Sequence, residues 1–311
     1  MSIFIAANFT ADEWAEWWPA LSRALPQETL LRERGAVAQE EIDIAIVANP
    51  VAGALAGLSS LRLIQSLWAG VENLLADPTV PAGVPLARMV DPAMNEAMAE
   101  TALWAVLSLQ RGFFDYAQQQ REARWAQHGP PAAADVGVAV LGLGQMGRAV
   151  ALRLARNGYR VSGWSASPAS FPGVRTLAGD SSLPAVLADA QVLVNLLPLT
   201  PATRGLIDAR LLAQLPGGAS LVNLGRGAHV VEADLLDALA SGHIRRAVLD
   251  VFASEPLPPD HPFWGHAHVT VLPHVAAQTD PRSASARVAA NIAAVRKGRP
   301  LQNLVDRSRA Y

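Results

Sequence analysis

The sequence predicts an α/β protein built on parallel sheets, and three observations carry that prediction. Short apolar runs alternate with helical stretches along the 311 residues. A glycine-rich turn, Gly142-Leu-Gly-Gln-Met-Gly147, follows an apolar run and opens a helical one. Polar residues recur just past the ends of later strands, where open parallel sheets bind ligands. At roughly 100–200 residues per domain, the length suggests two domains.

The elements follow in order. Ser2–Ala7 reads as a short apolar strand. Thr10 and Glu13 have the T-x-x-E spacing of a capping box, so a helix opens there and runs to about Leu25. Trp14, Trp17, Trp18 and Leu21 share helical spacing and read as its core face. Ile42–Ala48 and Leu63–Leu67 are further apolar runs, separated by Gly, Ser and Pro turns. A long helical pattern covers Asn95–Gln127, and residues 129–135 form a loop. A second series then begins, with strands expected at Val136–Leu141, Tyr159–Trp164, Val192–Leu196, Ser220–Asn223, Ala247–Val251 and Val269–Leu272. Helices are expected at Met146–Arg156, Leu206–Gln214, Glu232–Ala240 and Asp280–Arg296, with Asn157-Gly158 and Ser241-Gly242 as stops. If the helices near residues 100 and 285 both cross between lobes, the first lobe is discontinuous. The expected division is 1–98 plus 276–311 as one domain and 99–275 as the other.

Composition excludes several classes. Basic minus acidic residues give 25 − 27 = −2, so a partner held by phosphate charge, nucleic acid included, is not expected. Cysteine is absent, which removes disulfides, thiolate metal sites and cysteine nucleophiles. Lys297 is the single lysine, and a Schiff-base or P-loop lysine would have to lie in Val-Arg-Lys-Gly-Arg-Pro. The seven histidines include no H-x-x-x-H pair on a clear helix, so no metal site is expected. Met1–Ala7 has no basic n-region. The longest uncharged stretch, near Ile44–Leu61, is broken by Asn49, Pro50, Gly53 and Gly57. A cytoplasmic protein without a membrane span is expected.

The glycine turn is the strongest local signal. Gly142 permits a tight strand-to-helix turn, Gly144 lets backbone approach a pyrophosphate, and Gly147 lets the helix pack on the strand. The next strand ends at Trp164-Ser165-Ala166-Ser167. An NAD site normally places Asp or Glu there for the ribose 2′-hydroxyl. Here no carboxylate lies between Trp164 and Val174, and Ser165 and Ser167 could donate to a 2′-phosphate, with Arg175 as a cation in possible reach. NADP(H) is therefore preferred, with NAD(H) possible if the serines only form a turn.

Three later segments end strands with chemistry-bearing residues: Asn223-Leu-Gly-Arg226-Gly, Leu249-Asp-Val-Phe-Ala-Ser-Glu255-Pro and Leu272-Pro-His274. Each alone has an ordinary reading as a salt bridge, a loop or a structural histidine. Together, downstream of a dinucleotide turn, they match the needs of 2-keto acid reduction. Histidine is an acid near neutral pH, a neighbouring carboxylate favours its charged form, and arginine grips a carboxylate.

On these blocks, with Leu197-Pro198-Leu-Thr-Pro-Ala-Thr203 between them, the chain resembles the D-isomer-specific 2-hydroxyacid dehydrogenases over nearly its full length. Trp164-Ser165, Phe171-Pro-Gly-Val, His229-Val-Val-Glu, Glu255-Pro-Leu-Pro-Pro, His274-Val-Ala-Ala and Val305-Asp-Arg are similar to its glyoxylate/hydroxypyruvate reductase A branch. The resemblance implies two Rossmann- and flavodoxin-like lobes around a central cleft. The discontinuous lobe would bind substrate, and the 99–275 lobe would bind NAD(P) and carry a homodimer contact. It implies Arg226, Glu255 and His274 as the catalytic set. Gly142, Gly144, Gln145, Met146, Gly147, Trp164, Ser165, Ser167, Leu197, Pro198, Thr203, Leu224, Gly225 and Asp250 would line the cofactor. Trp68, Ala69, Gly70 and Val71, with Arg226 and His274, would hold the substrate, a small 2-keto or 2-hydroxy acid. Two departures stand out: Ala166 replaces the branch's usual basic residue, and Trp68 its usual Gly. Trp68 either narrows the substrate pocket or turns into the core. A dehydrogenase of larger phosphoglycerate or aromatic acids, and a dinucleotide sensor without turnover, are the alternatives.

Overall fold

A computed structural model describes residues 1–308 of the chain. It separates into two compact units, one of Met1–Met94 with the segment from Thr279 onward, the other of Asn95–Gln278. The divisions fall at 94/95 and 278/279, beside the 98/99 and 275/276 expected from sequence.

The first unit is built on a parallel sheet of β1 (Ser2–Ala7), β2 (Thr29–Leu31), β3 (Ile42–Ala48), β4 (Leu63–Ser66) and β5 (Leu86–Ala87), in the order β2-β1-β3-β4-β5. That is the flavodoxin-like order, with its switch point between β1 and β3. Every residue of β3 is buried, because a parallel sheet is covered on both faces and needs no polar alternation. The helix α1 (Ala11–Ala24) opens at the expected capping box: Glu13 N–H donates to Thr10 Oγ1 at 3.3 Å and Thr10 N–H to Glu13 Oε2 at 2.7 Å. Trp17 and Leu21 are buried as expected. Trp14 and Trp18 are instead half-buried under the Arg32 guanidinium, 4.4 and 4.5 Å from their ring centroids. A short helix, α2 (Glu72–Ala76), follows the β4 turn.

The helix Pro281–Arg296 returns to this unit. Its Asn291 amide donates to Gln65 Oε1 at 2.8 Å in the core, and Arg296 bridges Glu28 and the fully buried Asp43. These contacts tie the C-terminal segment to the N-terminal sheet, which is the physical basis of the discontinuity.

The second unit begins within α3 (Pro92–Arg111). The long helix expected over 95–127 is broken: Gly112 sits at φ +70°, α4 covers only Phe113–Arg121, and the chain then leaves helical conformation. Seven parallel strands follow: β6 (Gly137–Leu141), β7 (Arg160–Ser165), β8 (Val174–Ala178), β9 (Val192–Asn195), β10 (Ala219–Asn223), β11 (Ile244–Leu249) and β12 (Val269–Val271). Their order is β12-β11-β10-β9-β6-β7-β8, so the winding reverses between β6 and β9. Helices α5 (Gln145–Arg156), α6 (Leu183–Leu187), α7 (Ala209–Leu212) and α8 (Glu232–Ala240) connect them. The helix expected at 206–214 contracts to α7 because Asp208 caps it, accepting Leu211 N–H at 2.9 Å. Two apolar clusters, one around Leu221 and Phe263 and one around Val140 and Val150, form the core of this unit. No helix among the described residues is long and apolar enough to cross a membrane.

Candidate active site

Ligands of an open parallel sheet bind past the carboxyl ends of its strands at the switch point. Here that point lies between β6, which runs into Gly142–Gly147, and β9, which runs into the segment 196–203. Gly142 adopts φ +91°, and a Cβ there would lie 2.6 Å from the Leu196 carbonyl oxygen. A Cβ on Gly147 would lie 1.7 Å from the Gly142 oxygen, so the helix can approach the turn this closely only with glycine. Gly144, by contrast, meets nothing within 4 Å and opens to space. No side chain caps α5 and no acid stands in its first turn. The first-turn N–H groups of Gln145 and Met146 therefore remain available, with the positive end of the helix dipole, to an anion. This cradle fits a dinucleotide pyrophosphate.

The other expected cofactor residues divide into backbone walls and internally engaged side chains. Trp164 is buried in the core and its indole N–H donates to the Gly179 carbonyl at 2.9 Å. Ser165 Oγ donates to the Ser167 carbonyl at 2.6 Å, closing the turn. Ser167 is exposed. Arg175 pairs with Ser162 in the β7–β8 register, three positions before Ser165. Thr203 Oγ1 donates to the Pro198 carbonyl at 2.7 Å and closes the segment after β9 on itself. Leu197 and Leu224 are buried beneath that segment and the one after β10.

A buried polar cluster joins these two segments. Asn195, Asn223 and His229 are fully buried. The Asn195 amide donates to Asn223 Oδ1 at 2.8 Å and lies 2.9 Å from His229 Nδ1. His229 Nδ1 accepts the Arg226 N–H at 3.2 Å, which makes it an acceptor and puts the ring hydrogen on Nε2, 3.2 Å from the Pro198 carbonyl. The segment carrying Arg226 is thus fastened to the one carrying Pro198. Sequence reading took His229 only as a mark of resemblance. Its signal was weak: a buried histidine and two strand-end asparagines, polar where the core is apolar.

The catalytic candidates come together on the neighbouring strand ends. A Cβ on Gly227 would lie 1.8 Å from the Phe252 carbonyl carbon, so only glycine allows the segment after β10 to touch that after β11. Phe252 N–H donates to Glu255 Oε1 at 2.9 Å, and Glu255 Oε2 lies 2.7 Å from His274 Nδ1. The hydrogen bond to Glu255 raises the His274 pKa above its ordinary value, against burial and the Arg226 charge. Burial alone would raise the Glu255 pKa, but the hydrogen bonds from His274 and Phe252 and the charges of His274 and Arg226 outweigh it, and its pKa is lowered. The pair therefore favours imidazolium against carboxylate. His274 is 53% exposed in its side chain, and its Nε2 has no partner among the described residues. Arg226 is half-buried, with Nη1 donating to the Gly225 carbonyl at 2.7 Å.

Asp250 clamps the backbone of the His274 segment. It is buried, and its two carboxylate oxygens accept the N–H groups of Val275 at 2.7 Å and Ala276 at 3.0 Å. The His274 N–H donates to the Asp250 carbonyl at 2.9 Å. His274 sits at φ +56°, a conformation costly for a non-glycine residue, and this clamp holds it there. Burial raises the Asp250 pKa, opposed by those two backbone donors.

In the first unit, Trp68 is half-buried. Its indole packs edge-on against Trp17, centroids 5.7 Å apart, and against Phe9 at 6.2 Å. The Trp68 backbone N–H donates to Ser66 Oγ at 3.0 Å, whereas its buried indole Nε1 has no hydrogen-bond partner among the described residues. The N–H groups of Ala69, Gly70 and Val71 have no protein acceptor among the described residues. Such N–H groups can donate to an anion. No group of three or more His, Asp or Glu among the described residues could hold a metal ion.

A doubly wound parallel sheet with a dinucleotide cradle at its switch point and an acid–base pair past the ends of its outer strands β11 and β12 defines a nicotinamide-dependent oxidoreductase domain. The family model for the D-isomer specific 2-hydroxyacid dehydrogenase NAD binding domain matches residues 103–276, and the chain belongs to that family. It is 41% identical over 309 residues to a glyoxylate/hydroxypyruvate reductase A of Serratia proteamaculans, covering 98% of this chain and 97% of that one. A D-isomer specific 2-hydroxyacid dehydrogenase of Xanthobacter autotrophicus, solved with NADPH and MES, superposes with a TM-score of 0.94 at 40% identity, covering 100% of this chain and 99% of that one. The NADPH-dependent glyoxylate/hydroxypyruvate reductase of Sinorhizobium meliloti, solved with NADP and sulfate, gives a TM-score of 0.94 at 35% identity over the whole of both chains.

Proposed function

We propose that this enzyme reduces small 2-keto acids of the glyoxylate and hydroxypyruvate type, with NADPH as its preferred cofactor and NADH possible. The observation that carries the reading is the Glu255–His274 pair at 2.7 Å, with the Arg226 charge bearing on both partners. The names of the relatives and the NADP(H) bound in two of the solved structures support the substrate class and the cofactor.

A reduced nicotinamide supplies hydride when bound. Arg226 binds the substrate carboxylate and polarises the carbonyl. His274, protonated, donates from Nε2 to the carbonyl oxygen as the alcohol forms. Glu255 holds Nδ1–H and stabilises the charged ring before that transfer. The Gly144–Met146 backbone takes the pyrophosphate, with the Leu197–Pro198, Thr203 and Leu224–Gly225 segments as walls. Ser165 and Ser167 serve the ribose end through the turn they form. The first unit is the substrate domain in this reading, and the free N–H groups of Ala69, Gly70 and Val71 suit the substrate carboxylate.

We also infer a homodimer through the second unit. Trp125, just past α4, is 92% exposed, and Phe113, Trp104 and Leu107 are exposed on α3 and α4, apolar surface that suits a partner contact. A cytoplasmic location agrees with a cysteine-free chain.

Initial rates of NADPH loss with glyoxylate, hydroxypyruvate and phenylpyruvate test the function. Turnover on the first two, well above phenylpyruvate, is expected. Preference for phenylpyruvate would overturn the substrate class, and binding of NADPH without turnover on any keto acid would overturn the enzymatic reading.

A further inference from the structure

The 2′-phosphate that distinguishes NADP(H) from NAD(H) is met at the carboxyl end of the second strand of a dinucleotide fold, here β7. The residues expected there are poorly equipped. The Ser165 hydroxyl spends its hydrogen on the Ser167 carbonyl, and Ala166 brings no charge. Arg175 lies opposite Ser162, three residues back from Ser165, which is roughly 10 Å along a strand.

A further cation comes from the neighbouring helix. Arg148 follows Gly147 in the first turns of α5 and is exposed. Its guanidinium lies over the Phe171 ring, 5.3 Å from the centroid. Phe171 lies in the segment that leaves β7 and returns as β8. That segment is held by a bridge between Phe171 and Val174 and by the Thr176 hydroxyl, which donates to the Ala169 carbonyl at 2.5 Å. Arg148 is therefore steered to the β7–β8 side of the cradle. It makes no ion pair among the described residues, and no acid stands in the first turn of α5 or between Trp164 and Val174. A guanidinium lying over a ring keeps its in-plane N–H edge open, the edge that matches phosphate oxygens.

We propose that Arg148, braced by Phe171, is the 2′-phosphate-binding residue of this chain and replaces the cation missing at Ala166. The inference rests on the NADP(H) reading above. Arg148 contributes to the binding of NADP(H) and not to that of NAD(H), which carries a hydroxyl in place of the phosphate.

Calorimetric titration of NADP+ and NAD+ into the wild-type enzyme and the variants Arg148→Leu, Arg148→Lys and Arg175→Ala tests it without turnover. Arg148 is exposed, so its variants keep the core intact. The wild type is expected to favour NADP+. Arg148→Leu is expected to weaken NADP+ by about tenfold or more, the loss of a charge-assisted contact, and to change NAD+ less than about twofold. Arg148→Lys should recover part of the loss, and Arg175→Ala should match wild type. Retained NADP+ affinity in Arg148→Leu, or equal losses for both nucleotides, would overturn the role of Arg148 alone. A wild type that binds NAD+ as tightly as NADP+ would overturn the cofactor reading beneath it.

Discussion

His274 is held in the left-handed region at φ +56° by three hydrogen bonds, all to Asp250. Glu255 then favours the charged form of its imidazole, and Nε2 is left open. Asp250 and Glu255 thus divide the work: one sets the backbone, the other the proton. Asp250→Ala would orphan two N–H groups, that of Ala276 fully inside, and should cost about 2–4 kcal/mol of stability in a denaturant or thermal melt, with loss of turnover. The sign of the pH dependence follows from the shift. Glu255 raises the His274 pKa, so the protonated acid is present below that raised value and is lost as pH rises through it. Reduction, followed as kcat/KM against pH, should fall on the alkaline side, and Glu255→Gln should move that fall to lower pH. An unmoved profile would show that Glu255 does not govern the acid.

At the scale of elements, the site is a set of strand-end segments locked together. Gly227→Ala would drive a Cβ into the Phe252 backbone and separate the Arg226 segment from the Glu255 segment. A fall in kcat/KM of about a hundredfold or more is expected, in keeping with ångström-scale misplacement of a catalytic group. His229→Leu should leave the Arg226 N–H and the Pro198 carbonyl without their ring partner, lowering the melting temperature and raising KM for keto acid.

Much of this was legible in the sequence, for particular reasons. Strands such as β3 and β6 are continuous apolar runs, and Thr10–Glu13 and Gly142–Gly147 carry chemistry only certain structures need. The strands β2, β5 and β8 escaped because each is short or half-exposed and has no strong apolar pattern. The break at Gly112 and the contraction of α7 to Ala209–Leu212 were hidden because single turn and cap residues override a helical period. Among site residues, Arg226, Glu255 and His274 announced themselves by position after strands. The internal contacts of Trp164, Trp68 and Asp250 were not legible, because which neighbours a side chain meets depends on packing between segments far apart in sequence.

For the whole molecule, the two sheets have different orders, each with its own switch point, and the C-terminal helix belongs to the first. Replacing Trp125 and Phe113 by serine should convert a dimer to monomer, read as a halving of mass in light scattering. An unchanged dimer would place the contact elsewhere. The proposed proton donor of the keto acid reduction is His274, held by Glu255 with Nε2 open. The most direct measurement compares wild type and His274→Gln for NADPH binding by titration and for turnover on glyoxylate under saturating NADPH. The expected result is NADPH affinity within about twofold and a fall in kcat of about a hundredfold or more, the usual scale for a general acid. Near-wild-type kcat in the variant would contradict the assignment of the acid and with it the proposed mechanism.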